Sequence, residues 1–408
     1  MPHHPSPESV RRNFRIDLFG GIAAGIFGSV LLAFMPIVVR RMGGTPFDVA
    51  LVVAGPFIGH LLSPIGIYLL SGLRPAPVVA GVVVASRSIF LIGVIVATTP
   101  LLLAMTTVTF WLIAITNIAA YTTVMAAIYP DRERAQAMGK VRVGASIAGV
   151  FAAAAAGIAI DLVHASWVFA AAAALSLPGA LAFFWIRDEG GASAGQRRIG
   201  PHLVRDIWSD VRYRGLLTAT TVYGLGNLMN GTVVPLMLVD HFDAPNTFVG
   251  VMAALSSVTS IVAYLVWGRL IDRGSSLRLS SWTSALLILL PLGYLVAPTY
   301  WALLPIAVVQ GIVTAGFELT FHTNIVEVAP RGRVLDYATA QSFVLGVRGT
   351  IAPFLASVLI GIIDARGVLL VIATLMIAGT ALYFRAVRAY AQPLVVPLPA
   401  EAAHSSAV

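Results

Sequence analysis

The sequence predicts an all-α integral membrane protein, with twelve transmembrane helices in two six-helix bundles related by a pseudo-two-fold axis. Three observations carry this. The chain of 408 residues is 58% hydrophobic and only 11% charged, whereas soluble domains are roughly a quarter charged, and its mean hydropathy is +0.89. Apolar runs of the length a helix needs to cross a bilayer, about 20 residues, recur along the whole chain. Short polar landmarks return at a spacing of about 200 residues, so the second half reads as a repeat of the first.

Taken in order, residues 1–14 are a polar, Pro-rich tail. The tail has no apolar core, and the run after it is long enough to span, so it does not read as a cleaved signal peptide. Spans follow near 16–39, 48–71, 76–97, 101–129, 135–160 and 164–186, forming a first bundle over 15–187. The first span carries Gly20, Gly21, Gly25 and Gly28. Gly21 and Gly25 are four apart, a spacing that lets another helix backbone come close. The alanine runs 152–156 and 170–174 read as packing surfaces in the same way. The one long polar segment is the linker 188–213, which opens with Gly190, Gly191, Ser193 and Gly195. Within it Leu203, Val204, Ile207, Trp208 and Val211 fall at helical spacing among charged residues, which predicts an amphipathic surface helix over 201–213. Spans near 214–239, 247–271, 278–297, 300–328, 334–362 and 366–388 form the second bundle, 214–390, followed by a tail over 391–408.

Charge gives the orientation. With the N-terminus inside, most Lys and Arg fall on inner segments, among them Arg11, Arg12, Arg132, Arg134, Arg269, Arg273, Arg331 and Arg333; the outer segments hold Arg40, Arg41 and Arg366. This is the positive-inside distribution. It puts both termini and the 188–213 linker in the cytoplasm and the chain in the cytoplasmic membrane. The net charge of +8 then faces anionic lipid, not nucleic acid. The absence of cysteine excludes disulfides and thiolate metal sites. His3 and His4 read as incidental tail residues, and no metal or other cofactor is expected. No phosphate-cradling Gly-x-x-x-x-Gly-Lys loop occurs, which argues against ATP drive. A membrane enzyme would need a surface cluster of acids or histidines, and none is seen.

One short turn is more specific. Gly268-Arg269-Leu270-Ile271-Asp272-Arg273-Gly274 separates the eighth and ninth spans. It resembles the signature loop of the major facilitator superfamily, Gly-x-Leu-x-Asp-Arg-x-Gly. Gly268, Leu270, Asp272 and Arg273 match; the second glycine is displaced by one, and the trailing basic residues are thinned to Arg278. The repeat supports the resemblance: Thr45-Pro46-Phe47-Asp48 parallels Asn246-Thr247-Phe248, Pro130-Asp131-Arg132 parallels Pro330-Arg331, and Asp161 parallels Asp364. There are departures. No acid lies between Asp48 and Asp131, so the first-half copy of the loop lacks its acid. The fourth span lacks the Arg-x-x-x-Gly pattern of proton-linked drug exporters, and the fifth lacks their Gly-Pro pair.

The resemblance implies a monomeric secondary transporter that moves a small-molecule substrate by alternating access, with protons as the natural coupling ion. It also implies a gating latch at Gly268, Asp272 and Arg273, and a cavity lined by spans 1, 4, 7 and 10, then 2, 5, 8 and 11. Six polar residues cluster about 16–22 Å from the inner boundary at about 1.5 Å per residue: His60, Arg87, Asn117, Asn227, Glu318 and Arg348, with His322 a seventh, one turn from Glu318 toward the cytoplasm. Charges at that depth need a partner or a purpose. Glu318 reads either as a structural ion-pair partner of Arg348 or as a carboxyl that takes up protons, with His322 one turn away. Arg87 lies on a span that the resemblance puts at the periphery. Each of the seven has an alternative reading as packing. The function alternatives are a receptor or assembly protein on the same fold, and a uniporter or lipid-handling member without proton coupling.

Overall fold

The computed structural model describes residues 7–69, 73–186, 209–330 and 333–391. In the first half, α1 spans Pro7–Arg41, α2 Pro46–Leu69, α3 Pro75–Val96, α4 Pro100–Ala114, α5 Asn117–Ile128, α6 Asp131–Leu162 and α7 Ala165–Ala182. In the second, α8 spans Val211–Leu236, α9 Asn246–Arg273, α10 Ser276–Leu287, α11 Leu289–Val296, α12 Leu304–Val328 and α13 Val334–Ala391. Nine helices among the described residues are long and apolar enough to cross a membrane. One of them is a double crossing inside α13, broken at Asp364, where φ is 64°. With α2 and the α4–α5 pair, these make the twelve spans expected from the sequence.

Local chemistry sets the boundaries. Thr99 caps α4 through Leu102 N–H at 3.2 Å, with Pro100 at the first helical position. Thr45 and Asp48 close a reciprocal box at the start of α2, with Thr45 N–H donating to Asp48 Oδ2 at 2.7 Å. The fourth span breaks between α4 and α5, where the Thr116 hydroxyl donates back to the Ile113 carbonyl at 2.7 Å. The ninth breaks at Ile288, three residues before Pro291, whose ring nitrogen cannot donate into the helix ladder. Pro235 likewise precedes a π-helical turn, Met237–His241.

Most of the expected amphipathic helix lies in 187–208, outside the described residues. Asp210 caps α8 by accepting from Arg212 and Tyr213 N–H, each at 3.1 Å, so 211–213 belong to the seventh span and not to a separate surface helix. Within each half the helices approach closely at glycines. A Cβ on Gly25 would lie 2.3 Å from the Ala145 carbonyl oxygen on α6, so this glycine is where α1 and α6 touch. The halves meet along two seams. On one, Gly157 of α6 packs on Gly250 of α9. On the other, α2 packs on α13, with Leu61 against Gly346, Phe57 against Gly349, and the Phe47 and Phe354 rings 5.3 Å apart.

Candidate substrate site and gate

Each bundle encloses a cavity, and the two occupy equivalent places in the repeat. The first, about 250 Å³, lies between α1, α3, α5 and α7. Asp17, Arg87, Asn117, Tyr121 and Ser176 supply its polar lining. The Asp17 carboxylate is buried and accepts hydrogen bonds from Tyr121 at 3.0 Å and Tyr129 at 2.9 Å. The Arg87 guanidinium lies over the Phe27 ring at 3.7 Å, a cation–π contact, and its Nε is buried without a hydrogen-bond partner. Arg87 is therefore not peripheral: α3 turns it inward, into the cavity. Asn117 opens α5 just after the break, and its Oδ1 is buried and unpartnered.

The second cavity, about 190 Å³, lies among α8, α10, α12 and α13. Arg348 and Asn227 both line it, with Tyr223, Ser280, Asn324 and Tyr383, and Phe57 reaches it from the other half. Asn324 donates to Ser280 Oγ at 2.7 Å and to Tyr383 Oη at 3.1 Å. Arg348 donates through Nη1 to the Thr220 carbonyl. His60 is half-buried on α2, about one turn beyond Phe57.

Glu318 lies elsewhere. It is exposed on α12 and accepts a hydrogen bond from the Tyr264 hydroxyl of α9. The structure does not join Glu318 and Arg348 in an ion pair, because the two side chains face different sides of the second bundle and each has its own partner. Arg142 is exposed on α6 in the other half. His322 is on α12, but its side chain is outside the described set.

Polar contacts mark both ends of the bundles. Gly268 and Arg273 lie in the last turns of α9, which Gly274 ends; the Asp272 side chain is outside the described set. Close by, Glu327 takes the part of a helix-capping acid. It accepts from Ser276 N–H at 2.8 Å, Leu277 N–H at 3.2 Å and the hydroxyls of Ser275 and Ser276, which ties α12 to the start of α10. At the opposite end, hydrogen bonds join the two halves. Arg40 pairs with Asp240, with Nε 2.9 Å from both carboxylate oxygens and Nη2 at 2.8 Å. Arg41 donates to the Ala244 carbonyl. Asp161 of α6 accepts from Asn246 N–H at 3.0 Å, Asn246 Nδ2 at 2.8 Å, and Thr247 N–H and Oγ1, both at 2.7 Å. These donors are the first turn of α9, where a negative charge is favoured by the helix dipole. Sequence reasoning marked Asp161 only as a landmark of the repeat. An acid at one span end and Asn-Thr opening a helix in the other half is the signal that it had available.

Two six-span bundles, each with an internal polar cavity and joined at one end by a polar latch, define a multi-pass membrane transporter. The chain belongs to the Major Facilitator Superfamily, whose sequence model matches residues 18–220 and again 216–407. Among solved structures, it is similar to the nucleoside transporter NupG, with a TM-score of 0.73 at 12% identity over 92% of this chain and 99% of that one. It is also similar to a bacterial homolog of the human lysosomal transporter Spinster, in an inward-facing and unoccupied conformation. There the TM-score is 0.71 at 13% identity, over 95% of this chain and 98% of that one. At such identity the likeness concerns the fold. No curated protein matches the chain.

Proposed function

We propose that this transporter moves a small solute across the cytoplasmic membrane by alternating access, as a monomer with both termini in the cytoplasm, and that protons drive it. The observation that carries alternating access is the latch. Asp161, Arg40 and Arg41 hold one half to the other at the end away from the termini, through bonds that must break if a solute is to pass there. Such polar closures exchange their partners for water at small net cost, which suits a gate. Rocking of the two bundles about the seams would then open one end while the other closes.

Glu318 is the proton-coupling residue of this reading. It is an exposed carboxylate that accepts a hydrogen bond from the Tyr264 hydroxyl. A carboxyl group on a membrane-spanning helix needs a partner or a purpose. Glu318→Gln fixes the neutral form. In proteoliposomes it should abolish uptake driven by a pH gradient while leaving exchange of solute measurable. Full gradient-driven uptake by the variant would sink the coupling role. Gly268, Asp272 and Arg273 are proposed to close the terminal end, with Glu327 holding the neighbouring helix start in place.

A further inference from the structure

The second cavity carries a more specific reading, which rests on the transport function proposed above. We propose that it binds a small organic carboxylate, with Arg348 as the group that takes the anion.

Arg348 is 7% exposed. Among the described residues no carboxylate lies within ion-pair distance of it. The acids of the same bundle are engaged elsewhere: Glu318 with Tyr264, Glu327 with Ser275 to Leu277, Asp210 with Tyr337. A buried guanidinium without a counter-charge is expensive, and a backbone carbonyl neutralises none of its charge. Nε is buried and has no hydrogen-bond partner. The cation is thus left with donors to spare beside a cavity that it lines.

The surroundings are built for this. A Cβ on Gly224 would fall 2.6 Å from Arg348 Nη1 and 2.8 Å from Nε, so the glycine makes room for the guanidinium against α8. Ser280 and Tyr383 both accept from Asn324, which leaves at least one of the two hydroxyl protons free to donate. Arginine offers a planar fork that matches a carboxylate in two parallel bonds. The apolar side of the cavity is made by Phe57, Phe317 and Phe321. A volume of about 190 Å³ has room for a monocarboxylate with a short apolar body. A cation would meet Arg348's charge, and a neutral alcohol would leave that charge uncompensated.

The test is binding to the purified full chain in nanodiscs, by thermal shift and calorimetry. The probes are butyrate and benzoate, with butanol, butylamine and inorganic phosphate as comparisons. The carboxylates are expected to stabilise the protein and the other three to leave it unchanged. Arg348→Lys keeps the charge but loses the fork, and should weaken carboxylate binding at least tenfold; Arg348→Gln should remove it. If Arg348→Gln does not fold, Gly224→Ala serves instead, since it displaces the guanidinium while keeping the charge, and it should weaken binding in the same way. Equal carboxylate binding by these variants, a preference for amine, alcohol or phosphate, or no carboxylate response in the parent protein would each overturn the proposal. Uptake of radiolabelled butyrate into proteoliposomes is scored separately. Binding without uptake counts against the transport reading and leaves the carboxylate site standing.

Discussion

Replacing Asp161 with alanine should open the latched end of the transporter. The substitution removes four hydrogen bonds of 2.7–3.0 Å, two of them to the first backbone N–H groups of α9. Loss of a helix cap costs about 1 kcal/mol, and loss of a negative charge at a helix N-terminus a further ~0.3–1 kcal/mol at a water-exposed site. The sum is about 1.3–2 kcal/mol. Asp161 and its donors belong to opposite halves, so these bonds are absent once that end separates, and the whole loss falls on the closed state. At about 1.4 kcal/mol per factor of ten, the open population should rise roughly 10–30-fold. The chain has no native cysteine, so a single reporter is unambiguous. Val53 packs on Gly231 across the halves and should be shielded when the latch is closed. In a Val53→Cys background, Asp161→Ala should speed maleimide labelling by that factor, and Asp161→Asn, which keeps an acceptor oxygen, by less. Labelling less than twofold faster in a folded Asp161→Ala variant would show that the latch does not control this end.

Two further outcomes follow from other contacts. Arg40 and Asp240 are 27% and 41% exposed at the side chain, so a double-mutant cycle with alanine at each should give a coupling of about 0.5–1 kcal/mol in the same labelling assay, falling at high salt. A cycle with no coupling would reduce the pair to a surface contact. Gly25→Val would push a side chain into the Ala145 backbone, whereas nothing lies within 4 Å of a Cβ on Gly28. The first should lower the thermal midpoint and the yield, and Gly28→Ala should leave both near the parent values; equal behaviour of the two would contradict the close packing of α1 on α6.

The twelve spans were legible because each is an apolar run of bilayer length, and the repeat because Pro130, Asp161 and their counterparts keep their spacing. Rotation was not legible. Depth along a helix follows from residue counting, which is how Glu318 and Arg348 were assigned similar depths. Which way each faces depends on how neighbouring helices pack, and contacts such as Gly224 on Arg348 or Gly379 on the Tyr223 backbone set that only in three dimensions. The same limit put Arg87 at the periphery, although its ring contacts turn it inward. The latch was missed for another reason. Asp161 and Asn246 are far apart in sequence, and each alone reads as an ordinary polar span end.

The repeat also makes the latch one-sided. Asp161 has a counterpart in Asp364, and the α9 start that Asp161 caps has a counterpart in the α2 start. Yet Asp364 accepts from its own Gly367 N–H at 2.7 Å, and Asp48 serves Thr45 beside it. Where a mirror-image bridge would stand, Phe47 meets Phe354. Water entering the polar side can replace each bond it breaks, whereas the aromatic side has nothing to gain from wetting. If the halves rock as proposed, the Asp161 edge is expected to part first, with the phenylalanine edge as the spine about which it swings. The opening would then be a wedge facing one flank of the molecule, and a solute entering from the latched end would meet the α6–α9 side first.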